Sequence, residues 1–458
     1  MNDLLPQLRR ILLYLGDLAV LYGVLAVVLI LRYTEQFDLN VWDEHFLPFT
    51  LIFAVWLVVF YISGLYDTRE TKNDISFYML VFRTMLINAL IGVIYFYVFS
   101  ERIFTIKPQV VFLVYIGIFS LAFLLWRRLY NLFIAREQFL RNVIFIGSGE
   151  DIEVLFTELA RRPYLGYRVV EFVRVRGNNN TLPTPELETL DLHKLLLDRK
   201  IDIVVTSPEL HGQPKIVDQI YRNLFLGIAY FDLPTFYEKI LGRIPVATIG
   251  QLWFLENLTE NDKKFYELFK RFGDLIFTLL LGAVGAILTP FIALAILLDS
   301  PGPILFRQSR VGQGGRLFLA MKFRSMIMDS EKNGPQWTKA DDPRVTRVGR
   351  VLRKLKLDEI PQLINILRGE MSFIGPRPEQ PEFVDSRIKK VPYYNERHLV
   401  KPGLTGWAQI NAPFTSASEE DTLSKLQYDL YYIKNRSMLL DLGILLKTIN
   451  IVLTRQGR

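Results

Sequence analysis

The chain has 458 residues, half of them hydrophobic and 33 of them phenylalanine, a length for two or three domains and a balance that points to a membrane protein. Fifty-four Lys and Arg against 47 Asp and Glu leave a formal net charge of +7, and the basic residues cluster beside apolar stretches, where they suit anionic lipid headgroups and phosphate substrates rather than nucleic acid. There is no cysteine, which excludes disulfides, thiol catalysis and cysteine metal sites, and the four histidines (His45, His193, His211, His398) are scattered without ligand spacing.

Four stretches are long and apolar enough to span a bilayer: about Ile11–Leu31, Phe46–Leu65, Ile75–Phe99 and Val110–Trp126. The first is too long for a signal-peptide core and lacks a small-residue cleavage site. Arg9 and Arg10 precede the first span, Arg69 and Lys72 lie between the second and third, and Arg127, Arg128, Arg136 and Arg141 follow the fourth. The other side carries only Arg32, Arg102 and Lys107, so the N-terminus and everything after Trp126 are expected in the cytoplasm. Asp17 and Arg83 sit inside spans at similar depth, and the expectation is an ion pair between them.

From Arg141 the pattern becomes soluble α/β. Asn142–Ile146, Tyr167–Val175, Ile201–Thr206 and Gly227–Phe231 read as strands with helical stretches between them, which predicts a doubly wound parallel sheet. Gly147-Ser148-Gly149 follows the first strand, but Ile152 replaces the third glycine of the dinucleotide fingerprint. The second strand ends in Val173-Arg174-Val175-Arg176, with no acid for a ribose. This reads as a degenerate domain for assembly or regulation rather than an NAD site. Gly177–Pro185 is a polar loop.

The fifth apolar stretch, Leu275–Leu298, is interrupted by Thr289-Pro290 and is basic at both ends, with Lys263, Lys264, Lys270 and Arg271 before it and Arg307 and Arg310 after it. The expectation is a helix broken at Pro290 that enters the membrane and returns by the same face. Ser300–Arg316, with its glycine-rich end, is expected at headgroup level. Lys322 and Arg324 lie two apart on a predicted strand, facing one side, where they could grip a diphosphate. The basic helix Arg347–Lys356 carries Val348, Val351, Leu352 and Leu355 on one face, a pattern for an interface as much as for a core.

Leu355–Glu379 is the most informative stretch. Ile360, Leu363, Ile364 and Leu367 predict an amphipathic helix, and Pro361 fits its first turn. Asp358 is then the expected N-cap, so the adjacent acids Asp358 and Glu359 sit at the positive helix end between Arg353 and Arg377. Helix N-termini flanked by arginine bind phosphate, and two carboxylates there would repel it unless a metal or a reaction required them. Mg2+ fits, because it takes one or two carboxylates plus substrate phosphates. The residues alone favour the plainer reading, a surface helix with an acidic cap and basic neighbours.

Four blocks change that balance: Ser300–Met326, Asp341–Glu379, Arg397–Asn411 and Lys425–Ser437. Through them the chain from about Lys263 to Arg458 resembles the bacterial sugar transferases, the polyprenyl-phosphate hexose-1-phosphate transferases of the monotopic phosphoglycosyl transferase superfamily. The N-terminal 260 residues resemble that family's long form. The resemblance implies a membrane α-helical bundle of four spans over residues 1–130 and a Rossmann-like (CoA-binding-like) α/β domain over 131–255. It implies an α-rich catalytic domain over 256–458 with a re-entrant membrane helix at 272–298, kinked at Pro290. The implied reaction moves a sugar 1-phosphate from a UDP-sugar to undecaprenyl phosphate, releases UMP and initiates exopolysaccharide, O-antigen or capsule synthesis. Asp358 would be the nucleophile that forms an aspartyl-phosphosugar intermediate, and Glu359 would help hold Mg2+ or handle protons, with Asp358 as the other metal ligand. Lys322, Arg324, Arg353 and Arg377 would hold phosphate, and His398 would have a structural or substrate-contact role. The implied setting is a homodimer in the bacterial inner membrane, with the α/β and catalytic domains on the cytoplasmic face.

Two other readings remain. A membrane-bound nucleotide-sugar dehydratase needs a Tyr-x-x-x-Lys pair, and Tyr266 and Lys270 have that spacing, though no GxxGxxG sequence precedes them and an apolar, membrane-type stretch follows. A non-enzymatic scaffold for polysaccharide assembly would not need an acid pair flanked by arginines.

Overall fold

The computed structural model describes residues 4–454 apart from 35–36, 67–72, 74, 104–108, 135–139, 163–164, 175–190, 209, 211–213, 259–262, 329–341 and 413–417. The expected polar loop Gly177–Pro185, His211 and the flanking charges Arg69, Lys72, Lys107 and Arg136 lie outside the described residues. The chain divides into two compact units, Met1–Leu233 and Pro234–Arg458.

The first unit opens with four long apolar helices: α1 (Leu4–Tyr33), α2 (Leu39–Ile62), α3 (Ile75–Ile103) and α4 (Gln109–Ile134). Each contains a segment long and apolar enough to cross a membrane. Asp38 caps α2 by accepting from the Val41 amide at 2.9 Å. Between the helices lies a core rich in aromatic rings. Tyr115 stacks on Phe119 and Phe60 on Phe123, with Trp56, Phe49 and Phe53 filling the remainder. Gly16 lets α1 approach α4, because a Cβ there would overlap the Trp126 ring at 1.8 Å.

The expected Asp17–Arg83 pair does not form. Asp17 Oδ2 is 2.7 Å from Arg127 Nη2, and its other oxygen accepts from Trp126 Nε1 at 3.0 Å. Arg127 also donates to the Leu65 carbonyl at 2.8 Å and faces the rings of Tyr66 and Phe123. Arg83 is exposed on α3. The reason is topological: α1 packs along α4, and α4 runs past Trp126 to Ile134, so Arg127 is a buried member of the bundle rather than a flanking charge.

The α/β part follows as β1 (Arg141–Gly147), α5 (Glu150–Arg161), β2 (Tyr167–Arg174), α6 (Leu192–Asp198), β3 (Ile203–Thr206), α7 (Pro214–Arg222) and β4 (Ala229–Asp232). The strands form one parallel sheet in the order β2-β1-β3-β4, the expected doubly wound arrangement. Ser207 stands over Gly147, where a Cβ would meet its hydroxyl at 2.2 Å. The space above this glycine is thus filled from within.

The second unit begins with α8 (Leu233–Leu241), which starts at the division, and α9 (Gln251–Asn257). The 36-residue α10 (Lys264–Asp299) follows. The expected break is not observed: α10 is one helix with Pro290 inside it. At about 1.5 Å per residue it is roughly 54 Å long, against about 30 Å for a hydrocarbon core. An antiparallel hairpin follows, β5 (Leu305–Val311) and β6 (Leu317–Phe323), turned at Gly314 and Gly315, both at positive φ. Then come α11 (Arg347–Lys354), α12 (Gln362–Arg368), β7 (Ser372–Ile374), α13 (Pro381–Ile388), β8 (Gly403–Thr405), α14 (Trp407–Asn411), α15 (Glu419–Asn435) and α16 (Met438–Thr454). β7 and β8 pair in parallel, and Ile366, Met371, Phe373, Leu426, Leu430 and Ile433 form the core around them. Among the described residues this unit contains two two-stranded sheets and no second dinucleotide fold. Tyr266 and Lys270 both reach Asp441, at 2.8 and 2.7 Å, and fasten α10 to α16.

Candidate active site at a buried acid pair

The acid pair is positioned by a turn. Lys356 adopts the left-handed conformation (φ 58°), and Leu357–Glu359 form a single 3-10 turn. Pro361, not Asp358, is the N-cap of α12, so the expected cap is corrected by one turn of chain. The predicted apolar face is corrected too. Leu363 and Ile366 are buried, whereas Ile364 and Leu367 are each more than 40 % exposed. Asn365 explains the rotation: its amide accepts from Met321 N at 3.1 Å and donates to Leu319 O at 2.8 Å, which turns that side of α12 toward β6. The α11 stripe splits likewise, with Leu352 buried and Val351 and Leu355 exposed, because Gly349 lies against the Ser325 carbonyl.

Both acids are buried, at 6 % exposure for Asp358 and 8 % for Glu359, and they are treated differently. Glu359 Oε1 receives Lys322 Nζ at 2.9 Å and Arg377 Nη2 at 2.8 Å. Burial pushes the Glu359 carboxyl up, but Lys322, Arg377 and Lys356 together hold it well below the usual range. Asp358 Oδ1 is buried without a hydrogen-bond partner. Burial raises Asp358 above its ordinary value, with Lys322 opposing and Glu359 adding to the rise. Arg353 donates to Ser325 Oγ at 3.0 Å, and burial lowers its guanidinium against the pull of Asp358. The Glu359 charge raises Arg377, and burial lowers Lys356.

The structure thus brings together Asp358, Glu359, Lys322, Arg353 and Arg377. Arg324 stands apart: it lies beyond the end of β6 and donates to the Ser300 and Pro301 carbonyls at 2.6 and 2.5 Å, closing the C-terminal end of α10. Pro290 lies inside α10, and the helix instead meets the site at Gly285, where a Cβ would come within 2.9 Å of Ile360 Cγ2. His398 is buried beside Arg397, and that burial and the arginine charge push its imidazole down to about 4, so it is neutral near pH 7. Sequence reasoning missed Lys356, whose place beside the acids depends on a left-handed turn, and Ser325, which no spacing ties to Arg353.

Residues distant in sequence meet two residues before Arg377. A Cβ on Gly375 would lie 2.3 Å from the Lys401 carbonyl, and one on Gly403 would lie 2.1 Å from Gly375 N. These two glycines let backbones touch where no side chain fits. Residues 265–455 match the family described as bacterial sugar transferase. A UDP-N-acetylgalactosamine-undecaprenyl-phosphate N-acetylgalactosaminephosphotransferase of Aeromonas hydrophila is 42 % identical over 49 % of this chain and 57 % of its own length. An undecaprenyl-phosphate glucose phosphotransferase of Komagataeibacter xylinus is 34 % identical over 68 % of this chain and 58 % of its own length. A UDP-glucose:undecaprenyl-phosphate glucose-1-phosphate transferase of Caulobacter vibrioides is 42 % identical over 41 % of this chain and 71 % of its own length.

The chain belongs to the bacterial sugar transferase family. In this sugar transferase the match begins at the base of α10 and takes in the acid pair, its cations and the Gly375–Gly403 contact. The matched stretches span somewhat over half the length of the first two relatives.

Proposed function

We propose that this chain transfers a sugar 1-phosphate from a UDP-sugar to undecaprenyl phosphate at the inner membrane of a bacterium, releasing UMP and initiating a surface glycan. The observation that carries the reading is the asymmetry of the acid pair. Glu359 is neutralised by two cations, while the neighbouring Asp358 keeps a buried oxygen unengaged. A carboxylate so desolvated is a stronger nucleophile than one in water, and Asp358 is the group left to attack. Its oxygen bonds to the sugar-bearing phosphorus, the bond from that phosphorus to the UMP oxygen breaks, and UMP leaves as the anion. The lipid phosphate oxygen then displaces Asp358 and leaves the diphosphate-linked sugar. Lys322 and Arg377 stay oriented by Glu359 and, with Arg353, stabilise charge on the transferring phosphoryl group. The relatives' names, which pair undecaprenyl phosphate with a phosphohexose, support the same reading.

The residues also fit Mg2+. Among the described residues no group of three or more acids or histidines could hold a metal, so an ion here would be held by the Asp358 and Glu359 carboxylates and, for the rest, by diphosphate and water, with Asp358 Oδ1 left to attack. When bound, it would neutralise the diphosphate and ease departure of UMP.

The fastening of α10 supports a re-entrant course. Near its start, Arg271 donates to the Ile366 and Leu367 carbonyls at 2.6 and 2.8 Å, and Asp274 accepts from Phe373 N at 3.0 Å. At its end, Asp299 accepts from Val348 N at 2.9 Å. Both ends are held by one unit, while Leu279, Leu280, Val284, Ile287, Phe291 and Leu294 stand exposed. With a kink at Pro290 inside the continuous helix, entry and exit by one face would place the acid pair at the membrane surface, where a soluble nucleotide sugar and a lipid phosphate can both reach it. The deciding experiment is UMP release with undecaprenyl phosphate across a panel of UDP-sugars. A dehydratase or a scaffold releases no UMP.

A further inference from the structure

Arg377 sits in an unusual strap of chain, Gly375-Pro376-Arg377-Pro378-Glu379. The flanking prolines have no N–H, so the strap has few donors with which to anchor itself. Its carbonyls are anchored instead, four in succession. Pro376 O accepts from Gly403 N at 2.9 Å, Arg377 O from Arg397 Nη2 at 3.1 Å, Pro378 O from Arg310 Nη1 at 3.2 Å and Glu379 O from Val311 N at 2.9 Å. The Arg397 bond falls on the residue whose guanidinium clamps Glu359.

Arg397 is itself fixed from the other side. Its Nε and Nη2 bond Asp429 Oδ2 of α15 at 3.1 and 2.8 Å, and its Nη1 bonds the Tyr394 hydroxyl at 2.8 Å. Tyr394 in turn donates to Glu379 at 2.6 Å, and Arg387 pairs with the same carboxylate. The Arg397 and Asp429 side chains are 4 % and 2 % exposed. Asp429 takes two of the five guanidinium N–H donors, and the Tyr394 hydroxyl and the Arg377 carbonyl take two more; a planar guanidinium holds all three acceptors in fixed geometry where an ammonium cannot.

We propose that Arg397 is a positioning residue for sugar-phosphate transfer: through the Arg377 carbonyl it sets the Arg377 guanidinium against Glu359. The chain of contacts runs from Asp429 to Arg397, to the Arg377 backbone, to the Arg377 side chain and to Glu359. This rests on the transferase reading above.

The test is a double-mutant cycle on the full-length chain in detergent or nanodiscs, read by UMP release. Arg397→Lys keeps the charge that neutralises Asp429 but cannot bridge it, Tyr394 and the Arg377 carbonyl together. Its kcat should fall about 10- to 100-fold, since displacement of a catalytic group by about 1 Å costs on that order. Placed on Arg377→Ala, Arg397→Lys should add less than about twofold, because the group it positions is gone. A merely structural arginine would lower activity by the same factor in both backgrounds, and that additivity, or wild-type activity in Arg397→Lys, overturns the proposal. If Arg397→Lys does not fold, Asp429→Asn, which removes the anchor's charge and keeps its shape, is put through the same cycle with the same criterion. Absence of UMP release by the wild-type protein from any UDP-sugar would overturn the transferase reading, whereas an active wild type with additive losses overturns the positioning role alone.

Discussion

Arg377 Nη2 stands 2.8 Å from Glu359 Oε1, and Lys322 Nζ reaches that same oxygen at 2.9 Å. Two cations on one oxygen make Glu359 a fixed anionic anchor rather than a proton carrier. The Arg377 side chain is 46 % exposed, so part of this cation stays accessible while it holds Glu359.

Removing either cation should therefore affect catalysis and acid stability together. Arg377→Ala and Lys322→Ala should each lose about 2–4 kcal/mol of transition-state stabilisation, by analogy with loss of an oxyanion donor. Glu359 is held below its ordinary value in the folded chain, so it stabilises the fold above that value and the contribution is lost as pH falls toward the depressed one. Without Arg377 the folded value rises, and acid unfolding followed by fluorescence should begin at higher pH than in wild type. Arg324→Lys is the contrast. It should lower Tm, because Arg324 holds the end of α10, and leave the affinity for UDP-sugar little changed.

Asp358 carries the opposite sign. Burial raises its carboxyl, so its ionisation opposes folding once pH passes its ordinary value. Asp358→Asn should keep or raise Tm near pH 7 while lowering activity by several orders of magnitude, the trade-off expected of a strained functional group. Wild type mixed with UDP-sugar alone should release about one equivalent of UMP per active site in a burst, and Asp358→Asn none. A wild type that needs the lipid phosphate for its first turnover would replace the covalent route with direct transfer.

Within the helical bundle, the pair to test is Asp17 with Arg127. Asp17→Asn or Arg127→Gln should cost about 3–5 kcal/mol, because each leaves a buried charge alone. Arg83→Gln should be near neutral. Thermal unfolding in detergent measures all three, and equal losses for Arg83→Gln and Arg127→Gln would contradict the pairing.

The course of α10 is open to labelling because the native chain has no cysteine. Lys264→Cys and Gln313→Cys, both at exposed positions on either side of the apolar run, should react only with reagent admitted to the cytoplasm. Reaction of the Gln313 position from outside intact cells would make α10 a full span.

Periodicity and composition by themselves determined the elements. The four parallel strands lie within two residues of where β-pattern and turn residues put them, since each is specified by its own neighbours. The number and order of the four N-terminal apolar helices were legible as well, because composition carries that information directly, although their ends lie up to eight residues from the expected ones. Tertiary structure alone decided which groups meet. Depth in the membrane made Arg83 a reasonable partner for Asp17, but helix neighbourhood selected Arg127, and no single-helix pattern encodes which helices pack together. A two-residue spacing put Lys322 and Arg324 on one face; the end of β6 separated them, sending one to Glu359 and the other to the carbonyls closing α10. The left-handed turn at Lys356 and the Asn365 bonds to β6 moved the acids off the helix cap, through long-range contacts that a local pattern does not contain.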